Sequence, residues 1–132
     1  QRRTRESMSE AGVQSEVRLH TSQLGWRMWR NNVGVLKDER GVPVRYGLAN
    51  DSSIINRHLK SGDLIGIRPV LITPDMVGTT IGQFVSIECK DRDWKPSLND
   101  KRYLAQAAWV QLVRSLGGYA VIINNSDVLT WR

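Results

Sequence analysis

The sequence predicts an α/β fold in which a mixed central β-sheet is flanked by helices, and three consecutive stretches carry that prediction. Residues 83–91 form a β-branched run typical of a strand. Residues 97–116 have the broad apolar face of a helix laid on a sheet, and residues 119–123 indicate a buried strand. Two strands joined through a helix are expected to be parallel, with a right-handed crossover.

Length and composition restrict the class of protein. With 132 residues the chain suits one domain, with a basic polar arm at residues 1–12 and a globular part at residues 13–132. The net charge of +6 favours a polyanionic partner, although other basic proteins share it. Cys89 is the only cysteine, which excludes an intramolecular disulfide and suits a reducing cytoplasm. We expect no membrane partner, because no apolar run approaches the roughly 20 residues of a membrane span.

The N-terminal half is expected to hold a helix, a strand and a hairpin. Residues 13–24 keep helical apolar spacing, and Gly25 follows them in the position that glycine takes after a helix. Residues 26–30 alternate large apolar and basic side chains, which indicates a strand. Residues 35–39 and 43–48 should pair as a hairpin.

The C-terminal half is expected to follow an irregular segment at residues 49–61. A long hairpin of residues 63–72 and 84–90 would supply the central strands. Ser97, with Asp100 three positions on, resembles a capping box, so we expect the long helix to begin there. The apolar positions of that helix are Leu104, Ala105, Ala108, Trp109, Leu112, Val113 and Leu116.

The strand at residues 83–91 carries an acid and a base side by side. Side chains alternate across a strand, so Glu88 and Lys90 point to one face and Ile87 and Cys89 point to the other. Burying two charges beside a sheet is costly unless something pairs with them. The residues are therefore either a surface ion pair at a strand end or part of a functional site.

A second carboxylate, Asp63, stands at the start of the preceding strand of the predicted hairpin. An antiparallel return would bring Asp63 close to Glu88 and Lys90. Two carboxylates and the backbone carbonyl of Cys89 would make a hard oxygen site suited to Mg²⁺ or Mn²⁺. The ammonium of Lys90 cannot be a ligand, but it can orient water or stabilise charge on a phosphate.

The order Asp63, then Glu88-x-Lys90, resembles the motif of the PD-(D/E)xK nuclease superfamily, with Gly62 where the motif has proline. Over roughly residues 15–123 the chain is similar to the virus-type replication-repair nuclease (VRR-NUC) domain. The segments that carry this resemblance are Glu16, Arg30-Asn31-Asn32-Val33-Gly34, Tyr46-Gly47-Leu48, Gly62-Asp63-Leu64-Ile65-Gly66, Ile87-Glu88-Cys89-Lys90, Gln106 and Gly117-Gly118. The resemblance implies a restriction-endonuclease-like core.

The resemblance also implies roles for individual residues. Asp63, Glu88 and Lys90 would be the catalytic residues of a Mg²⁺- or Mn²⁺-dependent DNA endonuclease that leaves a 5′-phosphate and a 3′-hydroxyl. A glutamate of the first helix, here Glu16, would join the acidic cluster that binds the metal. A glutamine after the strand, here Gln106, would position water or the lysine. Small stand-alone members act in pairs on four-way junctions, so we expect a homodimer acting on branched DNA in replication, recombination or repair.

Basic and aromatic side chains provide candidates for contacts with DNA and with a second subunit. Trp94 can stack on a base or pack over the sheet edge. Trp26, Trp29 and Trp131 are hard to bury together in one small core, which is typical of interface, core or base-stacking residues. The candidates for phosphate contacts, each of which can also be a solvated charge, are Arg27, Arg30, Lys37, Arg40, Arg45, Lys60, Arg92 and Lys95. Two other functions stay open: a non-catalytic DNA-binding module, and a nuclease of the same superfamily that acts on flaps or RNA.

Overall fold

The computed structural model describes residues 9–129, and the chain divides into two compact units, Gln1–Gly66 and Ile67–Arg132. Both units mix helices and strands, so the predicted α/β class is confirmed. The described residues form three α-helices and three two-stranded sheets, in place of the single central sheet that was expected. Residues 1–8 of the predicted arm and Trp131 lie outside the described residues.

The first helix, α1 (Glu10–Gln23), begins three residues before the predicted start because Ser9 caps it. The hydroxyl of Ser9 accepts a hydrogen bond from the backbone N–H of Gly12 at 3.1 Å. At the other end Gly25 has a φ of 83°, the left-handed conformation expected of a glycine after a helix. The helix packs on β1 (Arg27–Arg30), which confirms the predicted helix and strand.

The predicted hairpin is also confirmed, as strands β2 (Gly34–Lys37) and β3 (Pro43–Tyr46) pair antiparallel. Asp38 organises the turn, because its Oδ1 accepts hydrogen bonds from the backbone N–H groups of Arg40 and Val42, both at 2.9 Å. The bond from Val42 is the main cause that holds the pKa of the Asp38 carboxyl below its ordinary value. Ionised Asp38 therefore stabilises this turn.

The segment that was predicted to be irregular contains a short helix, α2 (Ser53–His58). The hydroxyl of Ser52 caps it by accepting a hydrogen bond from the backbone N–H of Ile55 at 3.1 Å. Six residues are too few to show a helical period in the sequence, which is why no helix was predicted there.

Strand β4 (Leu64–Ile67) follows Asp63 and pairs with β1, not with the Glu88 strand as predicted. Gly66 permits this pairing, because a β-carbon there would collide with the carbonyl oxygen of Arg27. The strand ends five residues before its predicted end. Pro69 explains this, since proline has no N–H to donate to a sheet ladder.

The second unit contains the strand–helix–strand motif that was predicted for residues 83–123. Strand β5 (Val85–Cys89), helix α3 (Lys101–Ser115) and strand β6 (Tyr119–Ile123) follow one another. The two strands pair in parallel, as predicted, and the helix packs on both of them. The predicted start of the helix at Ser97 is wrong, because the carboxylate of Asp100 caps it and accepts a hydrogen bond from Arg102 N at 3.0 Å.

The predicted inner face of α3 is partly confirmed. Val113 is buried and Trp109, Leu112 and Leu116 are half-buried, whereas Leu104, Ala105 and Ala108 are exposed. Val110, which was not part of the predicted face, is buried as well. Residues at i, i+4 and i+7 share one side of a helix, so Gln106 lies on the same side as Val110 and Val113. The predicted face followed apolarity alone, whereas the real one includes a glutamine whose amide is satisfied by the strand beneath it. No helix within residues 9–129 has the length and apolar character needed to cross a bilayer.

Candidate active site

Two charged side chains of the second unit are joined through one amide. The ammonium of Lys90 donates a hydrogen bond to Gln106 Oε1 at 2.6 Å. The Nε2 of Gln106 donates in turn to Glu88 Oε1 at 2.9 Å. All three side chains are half-buried, because the polar side of β5 lies under α3. Glu88 and Lys90 share a strand face, as the alternation predicted.

The orientation of this amide follows from the two charges beside it. A carbonyl oxygen can accept from an ammonium, and only an NH₂ group can donate to a carboxylate. The reverse orientation would place a donor against Lys90 and an acceptor against Glu88. Among the described residues, these two charges form no direct ion pair within 4 Å. Gln106 therefore keeps Glu88 and Lys90 apart while it holds both of them, which replaces the surface ion pair considered from the sequence.

The ammonium of Lys90 is also held by an aromatic ring. It lies 5.7 Å from the ring centroid of Trp94, within the range of a cation–π interaction. Trp94 packs against Tyr103 of α3, with ring centroids 5.6 Å apart. The loop that carries Trp94 is tied to the end of β6, since Asn124 Nδ2 donates to the carbonyl oxygen of Arg92 at 2.9 Å. Trp94 therefore packs within the second unit, which is one of the two roles considered for it from the sequence. Stacking on a base stays a prediction.

A cavity of about 300 Å³ opens beside Glu88 and Gln106. The Ser86 hydroxyl at its wall accepts a hydrogen bond from Trp109 Nε1 at 2.8 Å. The exposed side chain of Arg102 also lines this cavity. The space next to the carboxylate is therefore lined by both polar and apolar side chains, and a cationic side chain borders it.

The remaining predicted acids belong to the first unit. Asp63 is exposed, and its carbonyl oxygen accepts a hydrogen bond from Asn31 N at 2.8 Å. The side chain of Asn31 donates to the carbonyl oxygen of Gly62 at 2.9 Å and to Ser61 Oγ at 2.7 Å, which braces the backbone before Asp63. Glu16 is exposed on α1. The convergence of these acids with Glu88 stays a prediction.

Most of the candidate phosphate contacts are exposed, as side chains that touch a polyanion must be. Arg45 differs, because it is half-buried and is held by hydrogen bonds to Asn50. Arg40 forms an ion pair with Asp38 at 3.2 Å, so part of its charge is already neutralised. The exposed candidates are Arg27, Arg30, Lys37, Arg40, Lys60, Arg92 and Lys95.

Several residues that build these surroundings were not predicted to belong to the site. Arg102 and Trp109 were visible in principle, because with Gln106 they keep the i, i+4, i+7 spacing of one helix face. Asn31 and Asn124 act through backbone carbonyls of distant segments. No local pattern marks such contacts.

No family model, no curated protein and no solved structure matches this chain. Within residues 9–129, no group of three or more histidine, cysteine, aspartate or glutamate side chains is placed to hold a metal ion. Mg²⁺ does not require such a group, since one or two carboxylates with waters and substrate phosphates complete its shell. Within the described residues, the hydrogen bond from Gln106 engages one of the two carboxylate oxygens of Glu88, Oε1.

Proposed function

We propose that this protein is a metal-dependent DNA endonuclease that hydrolyses phosphodiester bonds, with Glu88, Gln106 and Lys90 at its catalytic centre. The observation that supports this proposal is the chain of hydrogen bonds from Lys90 through Gln106 to Glu88, beside a cavity that Arg102 also lines. A purely structural ion pair would need no amide between its two charges. The arrangement instead keeps a carboxylate and an ammonium separately available to a ligand.

Each of the three side chains has a distinct task in this proposal. Glu88, with the backbone carbonyl of Cys89, would hold Mg²⁺ or Mn²⁺, and Asp63 and Glu16 are the further ligands predicted from the sequence. When bound, the cation supplies Lewis acidity and neutralises charge on the scissile phosphate. Lys90 stabilises the negative charge that develops on the phosphate oxygens.

Gln106 contributes by positioning the other two side chains. A lysine side chain has several rotatable bonds, so an unrestrained ammonium spends little time in one place. The hydrogen bond from Lys90 to Gln106 and the nearby ring of Trp94 restrict it. Pre-organised charge is worth more than mobile charge, because no reorganisation is needed during the reaction.

A plasmid-nicking assay tests the proposal against a non-catalytic DNA-binding module. The purified protein is incubated with supercoiled DNA in Mg²⁺, in Mn²⁺ and in EDTA. We expect nicked circles in both metals and none in EDTA, while DNA binding persists in all three conditions. Binding without cleavage under every condition would contradict the nuclease and identify a binding module.

The finer part of the proposal is a homodimer that acts on branched DNA such as four-way junctions. A two-fold pair would place two sites against strands of opposite polarity and double the number of phosphate contacts. We expect paired nicks at symmetric positions of a four-way junction, and light scattering that shows twice the 15.0 kDa mass of the chain. A monomer that cuts junctions and linear duplexes at equal rates would contradict it. A panel with flap and RNA substrates separates the remaining alternatives.

A further inference from the structure

The first unit contains a second cavity, of about 270 Å³, that two cationic side chains line. Arg45 of β3 and Lys60, which follows α2, both line it. The other polar residues of its wall are neutral: Asn50, Asn56 and Ser61. Since no carboxylate lines this cavity, its chemistry favours an anion.

Arg45 is held in one orientation within this cavity. Its Nε donates to the carbonyl oxygen of Asn50 at 2.9 Å, and its Nη2 donates to Asn50 Oδ1 at 2.7 Å. Asn50 is only 2% exposed, and its Nδ2 donates to the carbonyl oxygens of Gly34 and Tyr46, both at 2.8 Å. The arginine is therefore anchored to the β2–β3 hairpin through a buried amide.

This anchoring leaves donors of the guanidinium available. A guanidinium has five N–H groups, and the bonds to Asn50 use two of them. No carboxylate of the described residues lies within 4 Å of Arg45. Burial raises the cost of an uncompensated charge, so an external anion in the cavity would be stabilised.

Lys60 supplies the second charge. Its Nζ donates to Asn56 Oδ1 at 2.8 Å, which leaves two of its three donors for a ligand. A planar arginine fork and a compact ammonium together suit the tetrahedral oxygens of a phosphate. Ser61, which lines the same cavity, lies two residues before Asp63 in the chain.

We propose that the cavity of Arg45 and Lys60 binds one phosphate of a nucleic-acid backbone, next to the phosphate that Asp63 would serve. The phosphate chemistry comes from the cavity itself, whereas its nucleic-acid source rests on the proposed nuclease function. Free phosphate has the same chemistry, so the experiment must separate the two sources.

The first arm of the test measures binding of a short DNA duplex in EDTA, by fluorescence anisotropy over a range of salt concentrations. The variant is Lys60→Gln, which leaves the Arg45–Asn50 contacts intact. Arg57→Gln is the matched control, because Arg57 is exposed on α2, three residues before Lys60, and does not line the cavity. Loss of one phosphate contact makes the negative slope of log affinity against log salt shallower by about 0.9. We expect that change for Lys60→Gln and an unchanged slope for Arg57→Gln.

The second arm follows the Arg45 Nε–H by ¹H–¹⁵N NMR while inorganic phosphate is added at constant ionic strength. This N–H donates to Asn50, so it should be protected from exchange and visible. We expect its signal to shift with phosphate, and to shift at several-fold higher phosphate concentration in Lys60→Gln. A signal that is insensitive to phosphate would overturn the proposal.

A phosphate-dependent signal combined with equal DNA slopes for Lys60→Gln and Arg57→Gln would overturn the nucleic-acid assignment. Neither arm requires cleavage, so its outcome is independent of the nicking assay. A protein that does not cut DNA but shows the altered slope would retain this site and lose the nuclease proposal. A protein that cuts DNA, but in which Lys60→Gln leaves the salt slope unaltered, would support the nuclease proposal and exclude the nucleic-acid site at this cavity.

Discussion

Replacing Gln106 by alanine tests whether one amide holds the charges of the candidate site. The change removes hydrogen bonds of 2.6 Å to Lys90 and 2.9 Å to Glu88. A hydrogen bond to a charged group contributes about 1.5–3 kcal/mol, and we take about 1 kcal/mol for each bond here because both charges are half-buried and can turn towards water. The expected loss in the free energy of unfolding is therefore about 2 kcal/mol.

Gln111→Ala is the matched control, since Gln111 is an exposed residue of the same helix. Both substitutions gain the same few tenths of a kcal/mol in helix propensity, so that contribution cancels between them. Urea unfolding of the two variants measures the difference. A double-mutant cycle with Lys90→Met should give a coupling energy on the order of 1 kcal/mol. Equal stability of Gln106→Ala and Gln111→Ala would refute the hydrogen-bond chain.

Three further predictions concern catalysis and acid stability. Lys90→Ala should lose several orders of magnitude in the rate of single-turnover cleavage while Mn²⁺ binding persists, because the ammonium stabilises the transition state. Lys90→Arg should not restore the rate, because the planar guanidinium differs from the compact ammonium. Near-normal turnover of Lys90→Ala would assign the lysine a structural role. Trp94→Ala should slow cleavage about 2- to 5-fold without weakening DNA binding, since a cation–π contact contributes about 0.5–1 kcal/mol. Trp94→Phe keeps an aromatic ring and should retain most of the rate. Equal rates for both variants would argue against positioning of Lys90 by the ring. The lowered pKa of Asp38 means that its stabilising effect is complete above the ordinary carboxyl range and is lost as pH falls through the folded-state pKa. Wild type should therefore exceed Asp38→Asn in stability at neutral pH but not in strong acid, as urea unfolding at several pH values would measure, and a constant difference would contradict this.

Local signals predicted much of the fold because they depend on neighbours in the sequence. Gly25 marks the end of α1, and the turn at Asp38 separates two strands that pair as expected. The strand–helix–strand order was enough to predict the parallel pairing of β5 with β6. These features need little knowledge of distant partners.

Features that depend on distant partners were less predictable. Ser97 and Asp100 both carry capping side chains, and only the path of the backbone decides that Asp100 caps α3. Strand β4 pairs with β1, and Gly66 permits the close approach of the two backbones. A glycine in the sequence can indicate such an approach, but it does not identify the strand that approaches. At the candidate site, Glu88 and Lys90 were predicted to share one face. Gln106 faces the sheet although the inner face of a helix is expected to be apolar. It can do so because Glu88 and Lys90 on the strand satisfy its amide.

Whether Glu88 belongs to a catalytic centre is decided by the cleavage activity of Glu88→Gln. Wild type, Glu88→Gln, Asp63→Asn and the exposed control Glu39→Gln would be compared on the same DNA in Mg²⁺, with DNA affinity measured in parallel. We expect Glu88→Gln and Asp63→Asn to lose cleavage but to bind DNA as well as wild type or better, because a negative charge near phosphate has been removed. Glu39→Gln should cut normally. Full nicking by purified Glu88→Gln and Asp63→Asn would contradict the proposed site.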